Sequence, residues 1–361
     1  MSKVHLGFLG AGWWATANHM PLLAARDDVE LTAVCRLGAD ELRQVKDRFG
    51  FRFATEEAAE LVSYSGLDAV IVSSPHTLHF EHARLALEKG LHVLCEKPMC
   101  TRGGEARELV RLAKEKNVHL LVPYGWHYKP FIQQAKRWMD DGAVGEVQYV
   151  LCHMASPIRD LLVHGHFQAE RVSGQAGGVL FQPDPKTWSD PKIAGGGYGH
   201  AQLSHSTGML FWLTGLMPRS VFARMTAPGS NVDLYDALSV RFDNGAIGTV
   251  SGAGTVPPIG AAQYQVDLRI FGTEGLLMLD CERARLEWRR HDGRQERIDL
   301  PPDAGNYACD GPPHNFIDLI LGKADVNWSP GEAAMRSVLL LDAAYRSAAS
   351  GREEGVASMA G

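Results

Sequence analysis

The chain has 361 residues, more than one hydrophobic core usually organises, and its 45% hydrophobic and 22% charged content is ordinary for a globular protein. Lys and Arg total 36 against 42 Asp and Glu, a net charge of −6 with no basic block, which argues against nucleic acid or an acidic membrane surface as the main partner. No apolar run reaches bilayer-spanning length, and Met1-Ser2-Lys3 leads straight into an apolar strand without a leader-like region, so the chain reads as cytoplasmic. Strands are predicted over Val4–Leu9, Leu31–Cys35, Ala69–Val72, Leu91–Cys95 and His119–Val122. Helical patterns fall between them, through Ala25 and over about Asp40–Phe49, Leu78–Lys89 and Arg102–Lys116. Short continuous apolar runs are what parallel strands covered on both faces look like, and the β–α alternation implies right-handed crossovers.

After Pro123 the rhythm changes. A helix near Phe131–Asp140 leads to a strand over Glu146–His153. A long irregular region follows, holding Arg159, Asp160, His164 and His166 and running to Gly197. A helix is expected from about Gly199 to Leu213, then strands over Ser220–Met225, Leu238–Phe242, Ala246–Ser251, Gln265–Phe271, Leu276–Leu279 and Leu286–Arg290. Turn residues between them (Asp243-Asn244-Gly245, Gly272-Thr273-Glu274-Gly275) point to antiparallel pairing. The chain closes with a helix at about 330–347. The fold class is therefore α/β: a doubly wound parallel Rossmann sheet over 1–123, then an α+β domain over 124–361 with a mostly antiparallel sheet.

Six scattered cysteines without a C-x-x-C pair read as reduced thiols. His76, His79 and His82 recur every third residue but drift around a helix axis, and no carboxylate completes a site, so no metal is assigned.

Gly10-x-Gly12-x-x-Ala15 stands between a predicted strand and helix, the context of a dinucleotide fingerprint. Gly10 would make the tight turn, Gly12 would let backbone approach a pyrophosphate, and the following helix would offer free N–H groups to the phosphates. After the second strand, where an acidic residue normally takes the ribose, the chain has Arg36. Arg36 suits a 2′-phosphate or stacking on adenine, which tilts the reading toward NADP or tolerance of it; a solvated arginine beside NAD held by backbone contacts fits nearly as well, so NAD and NADP both remain open. Downstream, Glu96-Lys97-Pro98 ends an apolar strand and puts a lysine where the nicotinamide would lie.

These motifs, with Ser74-Pro75-His76-Thr77-Leu78-His79, Leu91 through Pro98, and Gly142-Ala143-Val144-Gly145-Glu146-Val147, resemble the glucose–fructose oxidoreductase, inositol dehydrogenase and MocA group (Gfo/Idh/MocA) over essentially the whole chain. The resemblance implies an open-faced second sheet that often joins subunits, hence a homo-oligomer, and oxidation or reduction of sugar-like alcohols with NAD(H) or NADP(H), held tightly in some members. It implies nucleotide contacts from Gly10, Gly12, Trp13, Trp14, Arg36, Ser74, His76, His79, Glu96 and Lys97. Lys97 matches the family lysine that bonds the reacting oxygen, and a cis bond before Pro98 is in keeping with the family. The family's Gly-Gly-x(4)-Asp-x(3)-His signature falls on Gly195–His205, so His205 matches the acid/base histidine while Ala201 stands where the aspartate is expected. Gln202 shares the His205 face and is expected to bind a substrate hydroxyl. Tyr124, Trp126 and His127 lie at the expected cleft edge, where aromatic faces suit sugar C–H surfaces or seal the domain interface. Arg159 and Asp160 lie in a region suited to cover substrate.

The expected activity is an NAD(P)-dependent sugar or glycoside dehydrogenase, with C3 of a glucoside preferred because a bulky aglycone would use the aromatic region. Two rivals remain: a glycosidase working by transient oxidation and elimination, and a non-catalytic nucleotide-responsive regulator.

Overall fold

The apolar runs of the first third become one parallel sheet in the computed structural model, which describes residues 3–164, 179–256 and 264–356. His166 lies outside the described residues. The strands are β1 (Val4–Leu9), β2 (Val29–Cys35), β3 (Phe53–Thr55), β4 (Ala69–Val72), β5 (His92–Cys95) and β6 (Leu120–Leu121), in the order β3-β2-β1-β4-β5-β6. Every pair is parallel. All four residues of β4 are buried, which is why its sequence shows no polar alternation. Strand order reverses between β1 and β4, and a doubly wound sheet binds ligands in the crevice beyond the strand ends at that point. Gly10 makes this crevice possible: its φ is +91°, and a methyl group there would lie 2.4 Å from the Ser74 nitrogen.

The second sheet has nine strands: β7 (Val147–Ala155), β8 (Pro218–Thr226), β9 (Tyr235–Phe242), β10 (Ile247–Ala253), β11 (Gln265–Gly272), β12 (Gly275–Asp280), β13 (Arg285–Arg290), β14 (Gln295–Asp299) and β15 (Glu354–Gly355). Their order is β14-β13-β12-β11-β7-β10-β9-β8-β15. β7 and β10 pair in parallel; the other neighbours are antiparallel. In β9 the residues alternate strictly between exposed and buried, so one face turns inward and the other outward. Helices Ser204–Thr214 and Gly331–Ser350 pack on the inner face. The first of these is buried on all sides apart from its last residue, with the polar Ser204, His205, Ser206 and Thr207 at its start and an apolar run from Met209 to Leu213.

The C-terminal segment, expected with the second domain, returns to the first. Helix Gly311–Ile320, which the sequence pattern did not reveal, sets Phe316, Ile317 and Leu319 into the core that also holds Leu6, Phe8 and Ile71. Arg26 ties this helix to the first sheet through Asp28 and Asp318. All six cysteines are free. Among the described residues no helix is long and apolar enough to cross a membrane, and no group of side chains could hold a metal.

Candidate active site

The C-terminal ends of β1, β2, β4 and β5 open into a cavity of about 920 Å³, roofed by residues of the 180–205 stretch. At one end stand Gly10, Gly12, Trp13 and Trp14. A methyl group at Gly12 would meet nothing within 4 Å, so its backbone faces open space that a ligand can approach closely. Glu96 joins β5 to this corner: its Oε1 accepts from Trp14 Nε1 (2.8 Å) and from His19 Nε2 (2.7 Å). Burial alone would raise the Glu96 carboxyl; the His19 hydrogen bond, followed by the His19 and Lys97 charges, outweighs it and holds the group below the usual carboxylate range.

From β4, Ser74, His76 and His79 line the floor. The His79 ring lies between the Pro98 and Ser74 carbonyls, a nitrogen 2.7 Å from each oxygen, and its N–H donates to one of them between the β4 and β5 exits. His76 Nδ1 lies 3.0 Å from the Ala194 carbonyl oxygen and meets Trp188 edge-on, anchoring the roof. Arg36 is already engaged: Nη1 donates to Ala11 O (2.9 Å), Nε to Leu37 O (3.2 Å), and its face lies 4.3 Å from the Phe181 ring. Glu41, Glu56 and Glu57 line the cavity beside it. Glu56 accepts from the Gly38 N–H at 2.6 Å, and Glu41 Oε2 would lie 2.5 Å from a methyl group at Gly38.

At the reacting end the Lys97–Pro98 bond is cis. Lys97 Nζ donates to the Ala201 carbonyl at 2.9 Å, and desolvation lowers its pKa from that of a free lysine. Ala201 lies in a π-turn, Gly199–Leu203, a widened helical turn of a kind that recurs at functional sites. The main chain thus gives Lys97 an oxygen at the position where the resemblance expects an aspartate. Gln202 lines the cavity, as does His205, which is only 4% exposed. His205 stands edge-on to Trp126 (5.4 Å), Tyr307 (5.2 Å) and Tyr124 (5.9 Å), and its Nδ1 has no hydrogen-bond partner. Burial first, then the charges of Lys97 and His127, push its pKa well below 6.5. The ring is therefore held in its neutral form at physiological pH.

Four expected substrate contacts are placed elsewhere. Tyr124 is packed under the His205 helix against Gly208, and His127 is fully buried, its ring stacked on Trp212 at 4.5 Å and its Nδ1 3.0 Å from Trp328 O. The short 3₁₀ turn Gly125–Tyr128 turns Trp126 into the cavity while its neighbours face the core. Arg159 and Asp160 begin helix Arg159–His164, but Ile158 and Leu161, three apart and hence on one face, line the cavity. Sequence reasoning missed Phe181, Trp188, Tyr264 and Tyr307, which complete the walls. Each is an isolated aromatic, and only the fold brings them together.

The cavity lies near the top of the usual range for ligand pockets, about 300–1,000 Å³. With open backbone at Gly12, carboxylates at one end and a lysine–histidine pair at the other, these residues fit a dinucleotide with room for a second small molecule.

Comparison with known proteins agrees. Residues 4–124 match the family described as "Oxidoreductase family, NAD-binding Rossmann fold", and residues 132–278 match the "GFO/IDH/MocA C-terminal domain". The chain is 27% identical over 199 residues to D-xylose 1-dehydrogenase [NADP(+)] of Haloarcula marismortui, covering 54% of this chain and 50% of that protein. It is 29% identical over 146 residues to D-glucoside 3-dehydrogenase of Escherichia coli, covering 40% of this chain and 42% of that protein. These matches thus span about half the length of either relative. A solved structure of levoglucosan dehydrogenase in complex with NADH and L-sorbose superposes with a TM-score of 0.76 over 99% of this chain and 100% of that one, at 20% identity, a likeness of fold.

Proposed function

The chain belongs to the Gfo/Idh/MocA family of oxidoreductases, and on that premise we propose that it moves a hydride between a secondary hydroxyl of a sugar or glycoside, preferably C3 of a glucoside, and a nicotinamide nucleotide. The observation that carries this reading is the convergence of Lys97, Gln202 and His205 on the cavity that Gly12 and Glu96 also line. When bound, the nicotinamide ring supplies a hydride acceptor. Gly10, Gly12, Trp13, Trp14, Ser74, His76, His79 and Glu96 would hold the nucleotide. Lys97 donates a hydrogen bond to the reacting oxygen and stabilises its developing negative charge. Neutral His205 takes the hydroxyl proton, and Gln202 orients a neighbouring hydroxyl. The aromatic faces of Trp126, Trp188, Tyr264 and Tyr307 suit the C–H surface of a pyranose and leave apolar wall for an aglycone.

The nucleotide favoured is NAD. A 2′-phosphate needs free guanidinium edges, and those of Arg36 are partly used on Ala11 and Leu37. Glu41, Glu56 and Glu57 would accept from ribose hydroxyls and repel a phosphate. The exposed Ile247 and Phe271 on the outer face of the second sheet support self-association there, with residues 1–123 and the returning helix Gly311–Ile320 acting as the nucleotide unit and the rest of 124–361 as the substrate and assembly unit.

The test is reduced-nicotinamide absorbance with a panel of glycosides, alongside NADH and NADPH titrations. A glycoside-dependent rise, with NADH bound at least about tenfold tighter than NADPH, is expected, a gap that corresponds to roughly 1.4 kcal/mol. Glu41→Gln should narrow that gap. Tighter NADPH binding would overturn the NAD assignment, and released aglycone with catalytic nucleotide would replace the dehydrogenase by the eliminating glycosidase.

A further inference from the structure

The glycine run that opens the His205 helix is gripped by a carboxylate that has no place in the chemistry above. Asp233 lies between β8 and β9 and is 8% exposed. Its Oδ1 accepts from the Gly197 N–H (2.7 Å) and the Tyr345 hydroxyl (2.9 Å), its Oδ2 from the Gly199 N–H (2.8 Å), and its main-chain oxygen from the Tyr198 N–H (2.9 Å). The Tyr345 oxygen in turn accepts from the Gly197 N–H (3.2 Å) and the His200 N–H (3.3 Å). Four successive amides at the mouth of this helical segment, which the helix itself cannot satisfy, are therefore taken by two side chains and one carbonyl from remote parts of the chain. A negative charge is also favourable at that end of a helix.

This contact gives the glycines a steric reason. A methyl group at Gly196 would lie 2.4 Å from the Tyr345 oxygen, one at Gly197 would lie 2.3 Å from the Asp233 carbonyl oxygen, and one at Gly199 would lie 2.7 Å from the Tyr345 oxygen. No larger residue leaves room for the grip. Behind Asp233 stands Asp236 in β9, 3% exposed, with neither carboxyl oxygen met by a donor. Burial, then the charge of Asp233, push the Asp236 carboxyl well above the usual carboxylate range. Asp236 is thus biased toward its neutral form, which relieves the repulsion between two neighbouring carboxylates.

We propose that Asp233, backed by Asp236 and Tyr345, is a positioning residue that fixes the Gly197–His205 turn and, through the Ala201 carbonyl, the direction of the Lys97 ammonium. The proposal rests on the reading of Lys97 as the group that bonds the reacting oxygen. Ala201 follows the gripped amides directly and holds Lys97 Nζ at 2.9 Å, so a slackened turn misdirects that ammonium while leaving the nucleotide end intact.

The test compares Asp233→Asn, Asp236→Asn, Asp236→Leu and Tyr345→Phe with Lys97→Met. The readouts are kcat, the sugar KM, and NADH affinity followed by quenching of tryptophan fluorescence. Asp233→Asn is expected to lose about ten- to a hundredfold in kcat with KM and NADH affinity almost unmoved, the loss typical of a slightly misplaced catalytic group. Asp236→Asn keeps kcat because a neutral polar group of the same shape stays behind Asp233, whereas Asp236→Leu, which puts an apolar branched side chain there, falls with Asp233→Asn. Tyr345→Phe loses a smaller factor. Folded Asp233→Asn with wild-type kcat overturns the proposal. If that variant does not fold, wild-type kcat in both Asp236→Leu and Tyr345→Phe overturns it instead. Full activity in Lys97→Met would remove the underlying reading and this proposal together; an inactive Lys97→Met beside a fully active Asp233→Asn removes this proposal alone.

Discussion

The two ends of the cavity are assembled differently. At the nucleotide end most residues sit within a few positions of a strand terminus, Gly10 and Gly12 after β1, Arg36 after β2, Ser74 and His76 after β4, Glu96 and Lys97 after β5, with Phe181 the distant exception. Adjacent parallel strands deliver them side by side, so place in the sequence nearly dictates place in space. At the reacting end Trp126, Trp188, Gln202, His205, Tyr264 and Tyr307 come from separate segments and meet only when the second sheet and its helices pack. A change at the first end should act locally, and one at the second through the core. Lys97 belongs to both, which makes it the most sensitive position.

Lys97→Met therefore gives the largest expected effect. It should lower kcat by about 10²–10⁴-fold, the usual contribution of a positioned proton donor. NADH affinity should barely change, because Glu96, Gly10 and Gly12 remain. A comparable collapse of NADH affinity would show that Lys97 serves the nucleotide end alone. The pH profile sharpens the same point. In the proposed mechanism, oxidation needs His205 neutral and Lys97 charged. With burial lowering both, kcat should hold through neutrality, fall on the acid side only well below pH 6.5, and fall on the alkaline side below the 10.5 of a free lysine. An acid limb centred near neutrality would mean that substrate restores an ordinary histidine pKa.

Two glycines of one motif should separate folding from binding. Gly10→Ala combines a φ of +91° with a 2.4 Å overlap on Ser74 and should cost about 2–4 kcal/mol of stability, in the range of strained and overpacked substitutions. Gly12→Ala meets nothing in the fold, so its melting temperature should stay put while NADH affinity drops as the methyl group enters the cavity. Equal destabilisation in both would contradict the open space at Gly12. His127→Leu should cost about 1–3 kcal/mol for the hydrogen bond and stacking lost in the core, and leave the sugar KM alone. A raised KM without destabilisation would return His127 to the substrate site.

These contrasts follow what could be read in the chain. Val4–Leu9 and Ala69–Val72 were bounded to the residue because continuous apolar runs, tight glycine turns and a strand-end lysine are all local signals. Gln202 and His205 could be placed on one face by helical spacing. Tyr124 and His127 could not be separated from Trp126, since a short 3₁₀ turn decides which of three neighbours faces the cavity, and sequence carries no clear sign of it. Asp233 was invisible for a related reason: its partners are glycine amides, which leave no side-chain pattern to match. Helix Gly311–Ile320 was hidden by its two prolines and by the distance to the sheet it completes.

That returning helix supplies the smallest expected effect and tests whether the first domain ends where its strands do. Asp28 bonds both Arg26 and Lys323, while Arg26 also reaches Asp318, a bridge between the β1–β2 side and the end of the helix. The Arg26 hydrogen bond, then that of Lys323, holds the Asp28 carboxyl well below the usual range. Its contribution is therefore present above the unfolded carboxyl pKa of about 3.9 and is lost as pH falls below that value. The Asp28 side chain is 15% exposed and that of its partner Lys323 50%, so water still screens the cluster in part, and Asp28→Asn should cost about 1 kcal/mol at neutral pH, the upper end for surface ion pairs. The difference in melting temperature from wild type should start to shrink below about pH 4 and close only well below pH 3, as pH passes the depressed folded value. A gap that persisted undiminished in acid would mean that Asp28 acts through its shape and hydrogen bonding and not its charge, and the absence of a gap at neutral pH would mean that Phe316 and Ile317 packing alone holds the helix.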